Sequence, residues 1–341
     1  MIAVELLGRL VEFLATLCST ELFVVKGLLA ITVVCSLCGM LGSLVVGNRM
    51  AFFSDAMAHC AFAGVSLGYL GVLLAHLDRH TATWIVPLVM VLFGTLAGMG
   101  MVYVRARTGL AHDTVIGVFF ALAIGFGAML FQILAIKSTF NPEYFLFGNL
   151  VLIPDEDLFL LVVLFIVVVP LLAWRYNQIV FASFNTTLAR TRGLPTRAND
   201  YLFIALLALA VNLSIKAVGA LLINALLVVP AAAAANLARN LRQMFWLSIA
   251  LCLGAGWLGF GLRNSVSLRL GGGEPIPFGP SGLIVVVAVL LFFTTMLVQA
   301  AWRRFAPLIG ARPNLETTAA CSVLHDHDQT GSSVPPFGPW H

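Results

Sequence analysis

Charge is what this 341-residue chain has least of: Asp, Glu, Lys and Arg together make up 10% of it, against 60% hydrophobic residues. A soluble domain carries about 25% charged residues, and the mean hydropathy here is +1.00. That composition excludes an ordinary soluble protein and indicates a membrane protein. Lysine is rarer still. Lys26, Lys137 and Lys216 are the only three, and none sits in a G-x-x-x-x-G-K-[ST] phosphate loop, so the chain hydrolyses no nucleotide by that route. H-E-x-x-H and G-x-S-x-G are also absent, which leaves hydrolase readings without support. Glu5, Arg9 and Glu12 interrupt any signal-peptide core, and Leu17 before Cys18 does not suit a lipoprotein cleavage site. The first twenty residues read instead as an amphipathic lead-in helix at the interface. The six cysteines suggest no disulfide framework; Cys35 and Cys38 form a C-x-x-C, but inside the apolar run AITVVCSLCGMLG, where small packing residues are the better reading.

Long apolar runs are what the chain has instead. A spanning helix needs about 20 mostly apolar residues. Such runs lie near 24–46, 51–75, 84–104, 114–136, 157–174, 200–217, 218–238, 244–262 and 282–302. The reading is all-α: one polytopic membrane helix bundle of about nine transmembrane helices (8–9), the pair within 200–238 being tightly spaced. Frequent Gly and Ala suit close helix packing in lipid. An N-terminus outside puts 12 of the 19 Lys and Arg on inner loops, including Arg49, Arg105, Arg107, Arg175 and Arg239. The positive-inside rule then gives N-terminus out and C-terminus in. The net charge of +4 is this topological bias, and nucleic acid is not needed to explain it.

Three connections are unusual. The outer segment 138–156 is apolar enough to lie in or on the membrane face, and its Pro-Asp-Glu-Asp end is a good helix start. The inner segment 175–199 has room for a short helix ending at Gly193 and Pro195. The outer segment 263–281, rich in Gly and Pro, reads as irregular. The organisation is thus an N-terminal amphipathic segment, 1–23, a membrane domain, 24–302, and a cytosolic polar tail, 303–341, expected to be disordered.

Within the second span stands SDAMAH, residues 54–59. Asp55 is the one acid well inside an apolar run, and an ionised carboxylate at mid-membrane costs about 2.5–3.5 kcal/mol. His59 follows at i+4, on the same helix face. Carboxylate and imidazole together suit a borderline divalent cation such as Zn²⁺, Mn²⁺ or Fe²⁺. Two other readings stay open: a hydrogen bond that stitches helices, and a proton relay. Asp113 opens the span DTVIGVFFALAIG as an N-cap, or enters the cation site from a neighbouring helix. His325, Asp326, His327, Asp328 and His341 read as part of the polar tail, with loose metal binding as the alternative.

At this point four stretches look familiar. NRMAFFSDAMAHCAFAGVSLGYL, GLAHDTVIGVFFALAIGFG, EYFLFGNLVLIPDEDL and KAVGALLINALLVVPAAAAANLARN occur in order across about residues 24–302. Together they resemble the integral-membrane permease subunits of bacterial ABC importers for zinc, manganese and iron. The resemblance implies a multi-pass protein of the bacterial cytoplasmic (inner) membrane, paired with a second copy of itself. It also implies a cytosolic ABC ATPase subunit and an extracytoplasmic metal-binding protein as partners. No permanently bound cofactor and no enzymatic activity of the chain itself are expected, only a transported divalent metal. The same resemblance joins Asp55, His59 and Asp113 into one proposed translocation site, and makes Ala189, Arg190 and Gly193 part of the loop that docks on the ATPase. Ser54 stands where the family usually has Gly, and Cys60 follows the histidine. The rival reading is a gradient-driven secondary carrier or channel that needs no ATPase.

Overall fold

A computed structural model of the chain describes residues 4–5, 8–9, 11–12, 16, 21–76, 79–137, 142–148, 150, 153–184, 191–193, 195–263, 267–268, 276–277 and 279–305. It divides into two compact units, 1–296 and 297–341. In the second, the described residues are 297–305, the end of the last helix. The expected tail cluster from His325 to His341 lies outside the described residues, as does most of the N-terminal lead-in, whose described residues are helical.

The helices are α1 (Leu22–Gly47), α2 (Phe53–Leu74), α3 (Arg79–Thr108), α4 (His112–Lys137), α5 (Pro142–Phe147), α6 (Asp155–Phe184), α7 (Thr196–Val218), α8 (Ala220–Leu237), α9 (Leu241–Leu262) and α10 (Pro280–Phe305). Among the described residues, nine of these are long and apolar enough to cross a membrane; the short α5 is not. Nine spans is the number expected from sequence. At 1.5 Å per residue the 26 residues of α1 extend about 39 Å, enough for a hydrocarbon layer of about 30 Å. The loop 263–281, expected to be irregular, carries a small antiparallel ribbon, β1 (Ser267–Leu268) with β2 (Ile276–Pro277).

Two helices form the centre. In both α1 and α7, 67% of the most apolar 18-residue stretch is buried inside the protein. Around them, α1 packs on α6, α8 and α9, while α7 packs on α2, α3, α6 and α8. The outer helices keep apolar side chains exposed, and these line up. Trp84, Leu88, Leu92 and Leu96 recur every fourth residue along α3, and Val286, Leu290 and Phe293 face outward on α10. A stripe of this kind on a soluble protein would aggregate; on a membrane protein it meets lipid.

Small residues set the close crossings. A Cβ on Gly42 would run into the backbone carbonyl of Leu227, so α1 and α8 touch backbone to backbone there. Cys35, Cys38, Cys60 and Cys252 are free and buried, in keeping with a packing role for C-x-x-C. The reversal between α7 and α8 takes one residue, Gly219, at φ 94° and ψ 154°. That conformation is open essentially to glycine alone, and it lies against Gly148 after α5.

Charges tie the ends together. The acids that start α6 favour its N-terminus through the helix dipole, and two are also paired: Lys26 of α1 with Asp155 at 2.5 Å, and Lys216 of α7 with Asp157 at 2.7 Å. At the opposite end, Arg175 donates to Gln178 Oε1 at 3.2 Å and to Asn199 Oδ1 at 3.3 Å, while Asn199 Nδ2 donates to the same Gln178 oxygen at 3.4 Å. Asn199 is buried, so this network holds α6 to α7 on both sides of the intervening loop.

Candidate cation site

Asp55 is the third residue of α2 and His59 lies one turn on, both half-buried between more deeply buried neighbours. The helix forms here because Ala56, Met57, Ala58 and Cys60 pack inward, which carries the two polar side chains with them. They face different neighbours. Asn224, the fifth residue of α8, donates from Nδ2 to Asp55 Oδ1 at 3.0 Å. His59 lies edge-on to the ring of Phe120 on α4, with centroids 4.9 Å apart and planes at 90°. The pair therefore occupies the strip of α2 that runs between α8 and α4.

Asn224 was not legible as a site residue. Its signal was one amide inside the apolar run ALLINALL, and its partner is 169 positions away. A neutral amide donating to a carboxylate forms a charge-assisted bond, which offsets part of the cost of placing Asp55 among apolar helices. The other end of the amide is unsatisfied: Asn224 Oδ1 is buried and accepts no hydrogen bond. An orphan acceptor of that kind costs about 1–3 kcal/mol.

Asp113 stands elsewhere. It is exposed in the first turn of α4, where its charge favours the helix N-terminus. Phe120, which meets His59, is seven residues further along, so Asp113 lies about 10 Å down the α4 axis from the level of the histidine. Among the described residues, no three His, Cys, Asp or Glu side chains converge closely enough to hold a metal ion. The described residues thus bring a carboxylate and an amide together, with an imidazole one turn further along α2.

Beside the first turn of α2 opens a cavity of about 410 Å³. Phe53, two residues before Asp55, forms part of its wall, and Asn48, Arg49, Arg105, His112 and Asp200 supply polar side chains. His112 precedes Asp113, which brings that carboxylate to the same end of the bundle. Of the loop residues expected to meet an ATPase, Ala189 and Arg190 lie outside the described residues; Gly193 is exposed with φ 72°.

The model of the ABC 3 transport family matches residues 20–299, a stretch that contains α1 to α9, the Asp55–His59 pair and Asn224. The chain belongs to that family. Similar proteins include ones named for manganese and for zinc transport. The manganese transport system membrane protein MntC of Listeria innocua is 28% identical over 288 residues, which is 84% of this chain and 92% of its own length. The high-affinity zinc uptake system membrane protein ZnuB of Buchnera aphidicola is 26% identical over 266 residues, 76% of this chain and 95% of its own. Among solved structures, PsaBC from Streptococcus pneumoniae in complex with Fab superposes with a TM-score of 0.64 at 26% identity, over 84% of this chain and 94% of the matched one.

Proposed function

We propose that this chain is the membrane permease of an ATP-binding-cassette importer that carries a divalent transition metal, manganese or zinc, into a bacterial cell. The observation that carries the reading is the family match across residues 20–299, with an intramembrane carboxylate and imidazole on one face of α2. Relatives named for manganese and for zinc transport support the same cargo class, and iron(II) shares its ligand chemistry. Family and relatives together favour this over the gradient-driven carrier.

In this reading two copies face each other across a shared pathway. An extracytoplasmic metal-binding protein releases the ion to Asp55 and His59. The imidazole and the carboxylate replace part of the hydration shell, and few ligands keep binding weak enough for release. With the N-terminus outside, the 410 Å³ cavity lies at the cytosolic end, and the ion leaves past Asp113 at that rim. ATP hydrolysis belongs to a partner ATPase, which docks on the inner segment 175–199, at Ala189, Arg190 and Gly193. The Arg175–Gln178–Asn199 network supports transmission of its movement, since it joins the two helices on either side of that loop.

A cellular test is direct. In a bacterial strain lacking its own manganese and zinc importers, the chain and its ATPase and binding-protein partners restore accumulation of one of these metals, at least tenfold above the empty strain in chelator-treated medium. No rise in manganese, zinc or iron despite verified membrane expression contradicts the reading.

A further inference from the structure

We propose that Asn224 is a ligand of the transported cation through Oδ1, and that this oxygen biases the site toward manganese over zinc. The proposal rests on the cation-permease reading above. It starts from the two ends of one amide. Nδ2 is committed to Asp55 Oδ1 at 3.0 Å, and Oδ1 is buried with no partner. The opposite assignment of the amide would turn its oxygen toward a carboxylate and repel it, so the donor end belongs at Asp55 and the acceptor end is the free one.

Reach is sufficient. The two ends of a planar amide are about 2 Å apart, so Oδ1 lies within roughly 5 Å of Asp55 Oδ1. Oxygens sharing an octahedral cation at about 2.1 Å sit some 3–4 Å from each other. A modest turn of the amide brings Oδ1 to an ion held by the carboxylate. An ion there satisfies an acceptor that has no partner among the protein's own groups.

Orphan acceptors are not ligands by default, and a second one in this chain shows the difference. Asn212 Oδ1 is also buried without a partner. Its Nδ2, however, donates to the Ala208 carbonyl of its own helix at 2.7 Å, and its amide is wedged against Gly94. That is a packing arrangement. Among the described residues, Asn224 alone couples a free carbonyl oxygen to an acid within a spanning helix.

The chemistry then sets a preference. Zinc favours four ligands with nitrogen or sulfur among them, and Asp55 with His59 and water go far toward that set. Manganese favours six ligands and accepts neutral carbonyl oxygens well. Adding Oδ1 therefore helps manganese more than zinc.

The test uses the permease assembled with its ATPase in vesicles, offered manganese and zinc together at equal free concentrations. Asn224→Leu, similar in size and without oxygen, is expected to lower the manganese-to-zinc uptake ratio at least tenfold, with Asn224→Ala as a second oxygen-free variant should the leucine not assemble. Asn224→Asp keeps an oxygen in place and is expected to hold or raise the ratio. Manganese affinity of the idle complex, read by electron paramagnetic resonance titration, is expected to weaken at least tenfold in the oxygen-free variants only. A ratio within twofold of wild type in the oxygen-free variants overturns the proposal, and so does an Asp variant that falls with them. Asp55→Ala serves as the separate control: undiminished uptake of both metals there defeats the site reading itself, whatever Asn224 does.

Discussion

Replacing Asp55 by Ala is expected to reduce metal uptake at least 100-fold while leaving the assembled protein intact. The loss of transport follows from charge. Asp55 is the acid in the first turn of the apolar helix α2, and among the described residues no group of three His, Cys, Asp or Glu side chains is present to substitute for it. Two terms oppose the change, and both are modest. Removing the carboxylate strands the Asn224 amide donor, at about 1–3 kcal/mol. It also removes an acid from the first turn of α2, where the helix dipole favours it by about 0.3–1 kcal/mol. Against a total stability of about 5–15 kcal/mol the protein should still assemble, with a lowered melting temperature and an unchanged size-exclusion profile. A well-assembled Asp55→Ala protein with uptake within threefold of wild type would defeat the assignment.

Gly219→Ala should have the opposite signature, with folding lost first. At φ 94° and ψ 154° any side chain is strained, by about 1–3 kcal/mol. Its new Cβ would also lie 2.6 Å from the Gly148 nitrogen and 2.6 Å from the Phe147 carbonyl carbon. Both are backbone atoms that cannot rotate away, so overpacking adds about 1–3 kcal/mol more. Against a total stability of about 5–15 kcal/mol, folded yield should fall several-fold. Asn224 is five residues beyond the turn, so whatever protein survives should also transport poorly. Gly254→Ala on α9 is the control, because nothing lies within 4 Å of its added Cβ. Equal thermal stability of the Gly219 and Gly254 variants would show that the turn tolerates a side chain.

Much of this bundle was legible in the sequence because lipid imposes a length on each span. The run near 24–46 became Leu22–Gly47, and the tight pair in 200–238 became two helices parted by Gly219 alone. Boundaries moved where polar residues continue a helix past its apolar stretch. The span read as 157–174 extends to Phe184, through Arg175 and Gln178, because the network to Asn199 holds those polar residues in helical register. The run near 84–104 begins at Arg79 and contains Pro87.

The site was half legible. Asp55 and His59 stood out because a charge in an apolar run demands a reason. Asn224 did not, since an amide costs less to bury and its purpose appears only when α8 is brought against α2. Asp113 was visible as an acid at a helix start, but sequence could not say how far it sits from His59; α4 sets that separation at two turns.

The most direct test of the account is uptake of isotopic manganese and zinc into vesicles carrying the chain, with and without its ATPase. The account predicts uptake only when the ATPase and ATP are both present, persisting after ion gradients are collapsed and absent in Asp55→Ala. Uptake by the chain alone, stopping when the gradient is dissipated, would contradict it and make the chain a secondary carrier.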